Sequence, residues 1–443
     1  MKPGMDGYES LKLKQLFAFF IPLGFSASLV TISHVIINST LARSANPEFV
    51  ISTYAIALSL LGIFERPGVV LRQTCSLLVK DRLSFRAMSE VSFYVVSCSV
   101  GLGFIVAYTP LGEWIFTHIA GVQTDHLAAV IHNFQIIIFV SIFSAIRCHY
   151  HGIIITNMRT KWLTIGMLIR LAAMYLLSLY YIQTDQVTSG MVGVIIFLTG
   201  MIIECIVSVT EGHSLVRKLP LKKEDHPVER KGQVFQFFRP LLFSSFIAVV
   251  IGPAINTMLG KTNDIELAIA SFAIAASLMQ LVTSFFSYMH QIILQFYRRN
   301  PGVVHRFLLQ MGFIPCFLTG VLCYTSLGPW FMERVMGVNE NLMMASLHSL
   351  RVFMLFTLIY PWLDSCNGIL MLRGQNRFMI WTQGVNAGVT LLILILCISL
   401  TPGWNGMIGA LAQSLGLVCE MGFVLYILKA TAKSTPLSNM EVS

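Results

Sequence analysis

Charge is what this chain has least of. Asp, Glu, Lys and Arg make up 12% of its 443 residues, where a water-soluble domain carries about 25%. That scarcity excludes a fold solvated by water over most of its surface. The nine cysteines are scattered through apolar stretches with no Cys-x-x-Cys pair. They read as small packing residues, which excludes a zinc ligand set and a disulfide framework. No Gly-x-x-x-x-Gly-Lys-Ser/Thr loop is present, so a P-loop for ATP hydrolysis is excluded. No nucleophile-and-base spacing or metal motif stands out either, and the expectation is a protein that is not an enzyme and needs no cofactor. Long polar segments are scarce too; the single one runs from about 214 to 232 and holds Pro220 and Pro227 among its charges.

What fills the chain instead is apolar. Hydrophobic residues make up 55% of it and mean hydropathy is +0.73. About twelve apolar runs lie near 15–42, 50–79, 88–109, 127–156, 162–182, 189–213, 233–260, 266–297, 303–326, 342–372, 378–400 and 405–430. Most are 20 to 30 residues long, enough to cross about 30 Å of hydrocarbon at about 1.5 Å per residue. Lipid offers the backbone no partners, so these runs predict an all-α polytopic membrane protein. Lys and Arg gather on alternate loops: Lys12 and Lys14, Lys80 to Arg86, Arg159 and Lys161, Arg217 to Lys231, Arg298 to Arg306, Arg373 and Arg377, and Lys429 and Lys433. The positive-inside rule then places both termini in the cytoplasm, with the chain in the plasma membrane. The net charge of +9 is thereby a topology signal, and no nucleic-acid partner is expected. The run from Leu16 is read as an uncleaved first span, since no small-residue cleavage site follows it.

The chain is also written twice. Phe19-Phe20-Ile21-Pro22-Leu23 returns as Phe237-Phe238-Arg239-Pro240-Leu241, and Ile37-Asn38-Ser39-Thr40-Leu41 as Ile255-Asn256-Thr257-Met258-Leu259, at an offset of 218. After a two-residue slip the offset is 216: Thr109, Leu111, Gly112 and Trp114 meet Thr325, Leu327, Gly328 and Trp330, Gly152-Ile153 meets Gly368-Ile369, and Glu204 meets Glu420. The expected organisation is a cytoplasmic tail at 1–14, an N-lobe of six spans at 15–213, a cytoplasmic linker at 214–232, a C-lobe of six spans at 233–430 and a cytoplasmic tail at 431–443. Six is even, so both lobes enter the membrane in one direction as parallel repeats. Trp114 and Trp330 are expected to anchor matched external loops.

Phe20-Ile-Pro-Leu-Gly-Phe-Ser-Ala-Ser-Leu-Val-Thr, followed by Ile36-Ile-Asn-Ser-Thr-Leu-Ala-Arg, resembles the opening of the multidrug and toxic compound extrusion (MATE) proteins. Those belong to the multidrug/oligosaccharidyl-lipid/polysaccharide (MOP) flippase superfamily. The Pro-Leu opening of the second half fits the same pattern, as does the lack of the Gly-x-x-x-Asp-Arg-type loop of major facilitators. The resemblance implies alternating access between two six-helix bundles, usually driven by H+ or Na+. It also implies a cation site around an acid in the tenth helix, the position of Asp364. The first helix carries His34 and Asn38 where the proton-coupled bacterial branch has an aspartate, and the seventh carries Asn256 and no acid.

The residues at odds with an apolar environment are the candidates for chemistry. Glu65, Arg66 and Arg72 lie in span two, Arg147 in span four, Arg170 in span five and Glu204 in span six. Each Arg or acid at mid-span costs about 2.5–3.5 kcal/mol on insertion, so such residues pair, face water or bind something. Paired internally, Glu65 and Glu204 neutralise two of the four arginines. The remaining formal charge suits a phosphate or carboxylate, which guanidinium forks grip well. Arg66, Arg72, Arg147, Arg170, Glu65, Asn38 and Asn256 are therefore the expected substrate-binding residues, and Asp364 and Glu204 the expected ion-coupling ones. Pairing with Arg351 or Arg373 is the structural alternative for Asp364. Ser277, Gln280, Ser284, Ser287 and Gln291 form one stripe on span eight, expected as a water-facing wall. His149 and His151 lie two apart on roughly opposite helix faces and do not read as a metal pair. Pro22, Pro67, Pro240 and Pro361 are candidate kinks.

These features predict a secondary transporter, an exporter or flippase, that moves a small or lipid-linked anion. Its expected partners are membrane lipids and H+ or Na+, and it is expected to act as a monomer. Multidrug:cation antiport is the alternative, since 22 Met and 31 Phe suit an adaptable apolar pocket. A membrane enzyme acting on lipid phosphates is the alternative of another class.

Overall fold

The structure is a computed structural model, and it describes residues 12–41, 43–119, 122, 124–223, 228, 230–259, 261–335 and 340–432. Among the described residues, twelve helical spans are long and apolar enough to cross a membrane. In chain order they are Leu13–Leu41, Phe49–Leu78, Arg82–Tyr108, Thr124–Thr156, Lys161–Gln183, Gly190–Val216, Lys231–Leu259, Leu267–Phe296, Pro301–Tyr324, Glu340–Leu372, Phe378–Leu400 and Gly406–Thr431. These correspond one to one with the twelve apolar runs of the sequence. No strand occurs among the described residues, as expected of an all-α polytopic protein. The tail at 433–443 lies outside the described residues.

Local chemistry starts several spans. Asp81 accepts from the Ser84 amide at 2.7 Å and from its hydroxyl at 2.7 Å, capping span three. Asn300 caps span nine through the Val303 amide, and Asp264 opens span eight through that of Leu267. Each supplies an acceptor to a first-turn N–H that has no partner inside the helix.

Pro22, Pro67 and Pro361 stand inside unbroken helices. The longest interruption among the described residues lies in span eight, where helix ends at Ser284 and resumes at Met289. The expected stripe on that span divides accordingly. Ser277 and Gln280 are exposed, Ser284 and Ser287 are half-buried, and Gln291, beyond the break, is fully buried. A wall running through Gln291 is therefore corrected: four residues outside the helical path turn Gln291 inward.

The chain forms two compact units. One gathers Gly252–Arg373 and Val385–Lys433 with the first turns up to Gly24; the other holds Phe25–Ile251 with Gly374–Gly384. Spans one, seven and eleven are thus each shared between units, whose borders do not follow the repeat border. In the first unit, aromatic edges fasten the start of span one: Phe17 to Phe307 at 5.0 Å and Phe19 to Phe296 at 5.2 Å between centroids. Such pairs add about 0.5–1.5 kcal/mol beyond burial. In the second unit, Ile37, Tyr54, Ala57, Phe116, Phe134 and Ile138 form a buried core.

The repeat persists in packing detail. A Cβ on Gly193 would strike Ile37 and Tyr54; one on Gly409 would strike Ile255 and Phe272, the same neighbours moved by 218. Five-residue π-helical turns, Ile115–Ile119 and Phe331–Val335, follow Trp114 and Trp330, which are 52% and 53% exposed.

Candidate functional site: a buried charge network and a carboxylate–imidazole pair

The intramembrane charges of the first repeat converge on Glu204. Arg147 Nη1 donates to both its carboxylate oxygens at 2.9 Å, and Arg170 Nη1 donates to Oε2 at 2.8 Å. All three are buried, with Glu204 and Arg170 each 1% exposed. Arg170 also lies over the Phe197 ring at 5.2 Å, a contact that suits a desolvated guanidinium. Ser144 links the cluster to span two, donating to Glu65 and accepting from Arg147 Nη2 at 3.3 Å. Glu65 itself stands 3.9 Å from Arg147. His151 Nε2 is 2.9 Å from the Ser208 hydroxyl and 3.8 Å from Glu204. Spans two, four, five and six are tied together by this network.

Two positive and two negative charges meet there, so the cluster is formally neutral. Arg147 Nε and Arg170 Nε and Nη2 are buried without a hydrogen-bond acceptor among the described residues. Convergence of four arginines on one anion is not what the structure holds. Arg147 and Arg170 grip Glu204, while Arg66 is exposed on span two and makes no hydrogen bond or ion pair with them among the described residues. The reason is geometric: Glu204 sits on the span between them and offers its two oxygens first. Arg72 is half-buried, where span two crosses span four closely; a Cβ on Gly152 would meet Cys75 and the Arg72 carbonyl. Asn38 and Asn256 are both exposed.

The second repeat carries the same acid with a different partner. Glu420, fully buried, accepts from Asn386 Nδ2 at 2.6 Å, and Thr390 supports Asn386 Oδ1 at 3.2 Å. Arg170–Glu204 and Asn386–Glu420 are both separated by 34 residues, so span five to span six pairing is common to the repeats.

Asp364 has a partner other than the two arginines weighed from sequence. His290 Nδ1 lies 3.0 and 3.1 Å from its oxygens, and the His290 amide donates to Oδ2 at 2.8 Å. Arg351 instead lies over the Tyr324 ring, and Arg373 donates to the Leu428 carbonyl at 3.2 Å. Gln291 Nε2 is 3.1 Å from His290 Nε2. The carboxylate therefore serves the first turn after the break in span eight, where amides lack helical partners. Asp364 stays partly open, its side chain 18% exposed, while that of His290 is 3% exposed.

His290 was missed from sequence, yet the repeat contained the signal. Adding 218 to Arg72 gives His290, and adding 216 to Cys148 gives Asp364. A Cβ on Gly368 would meet His290 and Ile293, the counterparts of the Arg72 and Cys75 that Gly152 meets. His149, between Ser89 at 3.3 Å and Ser92 at 3.0 Å, and His151 on Ser208 do not share a site.

No protein-family model matches the chain, and no characterised sequence matches it. Solved structures do. A MOP superfamily transporter from Pyrococcus furiosus superposes with a TM-score of 0.76 at 13% identity, covering 98% of this chain and 100% of that one. A mutant of the Vibrio cholerae MATE transporter VcmN gives 0.76 at 12% identity, over 97% and 98%. A multidrug resistance MATE transporter in an outward-facing conformation gives 0.73 at 12% identity, over 94% and 96%. Over nearly its whole length, this chain has the fold of the MATE transporters of the MOP superfamily.

Proposed function

We propose that this protein is a secondary transporter of the plasma membrane that moves an anionic or lipid-phosphate-type substrate by alternating access. Arg66 is the observation that carries the substrate class. It stands at mid-span and is exposed, and an arginine at that depth costs about 2.5–3.5 kcal/mol unless it meets water or a counter-ion. Glu65 and Glu204, the acids nearest it in the cluster, already serve Arg147 and Arg170. Counted formally, Arg66 adds a positive charge beside that neutral cluster, which repels a cationic drug and attracts a phosphate or carboxylate. Among structures of this fold, the Pyrococcus furiosus transporter is described as having a binding pocket of reverse polarity that suggests a different function. Asp364 and His290 are the proposed coupling pair, since proton or Na+ entry at a part-open carboxylate would compete with the imidazole and the amide that it holds.

The test is reconstitution into liposomes with labelled lipid phosphates, organic anions and cationic dyes. Wild type is expected to move an anion. Arg66→Gln should weaken its binding about tenfold to a hundredfold, the value of one charged hydrogen bond of about 1.5–3 kcal/mol, and Arg66→Lys should retain part of it. A wild type that carries only cationic dyes would defeat this reading and favour multidrug efflux.

A further inference from the structure

In the unit that holds Phe25–Ile251, an apolar groove of about 400 Å3 opens between spans two, three and seven. That volume falls in the range of about 300–1,000 Å3 common for ligand sites. Its walls include Phe64 and Pro67 of span two, Tyr94 and Leu102 of span three, and Phe235 and Phe246 of span seven. Ser99, the most polar side chain in it, donates its hydroxyl to the Phe64 carbonyl at 2.9 Å, so it offers a ligand no free donor.

One end of the groove is basic. Lys231 opens span seven, and its ammonium sits over the Tyr94 ring at 5.1 Å. From Tyr94 to Leu102 the groove climbs about 12 Å, and from Phe235 to Phe246 about 16 Å, at about 1.5 Å per residue. Half of a hydrocarbon core about 30 Å thick is one leaflet. The groove is therefore one leaflet deep, apolar along its length, and positive where that leaflet's headgroups would lie.

We propose that this groove holds one acyl chain of an anionic phospholipid, with Lys231 at its headgroup. The site is separate from the charge network on Glu204, and it stands or falls independently of the transported substrate. The test uses the full chain in nanodiscs containing phosphatidylglycerol and phosphatidylcholine, with a trace of phosphatidylglycerol bearing a diazirine in its acyl chain. After irradiation, labelling mapped by mass spectrometry should concentrate on 94–102 and 235–246. Unlabelled phosphatidylglycerol should compete and phosphatidylcholine should not. Lys231→Gln should lower labelling about fivefold, since a basic residue near the surface contributes about 1 kcal/mol towards anionic lipid, and Lys231→Arg should retain it. Labelling no denser than on the exposed Leu391, Leu392 and Ile395 of span eleven would overturn the proposal, as would indifference to headgroup charge in the wild type.

Discussion

Glu204 holds two arginines in a buried interior, and its loss leaves both uncompensated. Removing one partner of a buried pair costs about 3–5 kcal/mol, so Glu204→Gln should sharply lower the melting temperature in detergent. Arg170→Asn should cost less. Arg147 still serves Glu204 through both oxygens, and the second repeat already pairs Asn386 with Glu420 in the same place. Comparing the two variants by differential scanning fluorimetry checks the ranking. At Asp364 the contrast is between function and fold. Asp364→Asn keeps an acceptor for the His290 amide and should melt near wild type, while its transport loses dependence on a proton or Na+ gradient. Asp364→Ala gives up the acceptor as well, and should lose about 1 kcal/mol of stability in the manner of a removed helix cap.

Helices were legible where burial in lipid alone writes the pattern. Each of the twelve spans is an apolar run set off by charged or turn-forming residues, and hydropathy needs no knowledge of partners to find it. The break in span eight was not legible, because Phe285-Phe286-Ser287-Tyr288 contains neither proline nor glycine. It is sustained from a distance, by Asp364 receiving the His290 amide. The candidate site was half-legible in the same way. Composition marks Glu65, Arg147, Arg170 and Glu204 as residues needing partners, but says nothing of who pairs with whom. Two consequences belong to this scale. Gly193 and Gly409 sit in matching crossings, so Gly193→Val and Gly409→Val should each cost about 1–3 kcal/mol as overpacking, read as matched falls in melting temperature. In hydrogen exchange, amides of 285–288 should exchange faster than those of the span six interior, since local openings concentrate where helical bonding lapses.

For the molecule as a whole, the basic loops make orientation testable. A single reactive cysteine at Lys222 should be reached by a membrane-impermeant maleimide only after the cells are permeabilised, whereas one at Gln186 should react in intact cells. The reverse pattern would place both termini outside. The whole chain also has to be made in order, and here the Glu204 cluster has a consequence for synthesis. Arg147 precedes its carboxylate by 57 residues and Arg170 by 34. At about 5–20 residues per second, Arg170 exists without Glu204 for about 2–7 s, and Arg147 for longer. Spans four and five released into lipid before span six would therefore each expose a guanidinium, at a cost of about 2.5–3.5 kcal/mol apiece. They are expected to linger beside the translocation machinery until span six arrives, so that the two guanidinium groups meet Glu204, with Glu65 of span two completing a neutral set, and the ribosome sets the earliest moment at which this half of the protein can enter the bilayer.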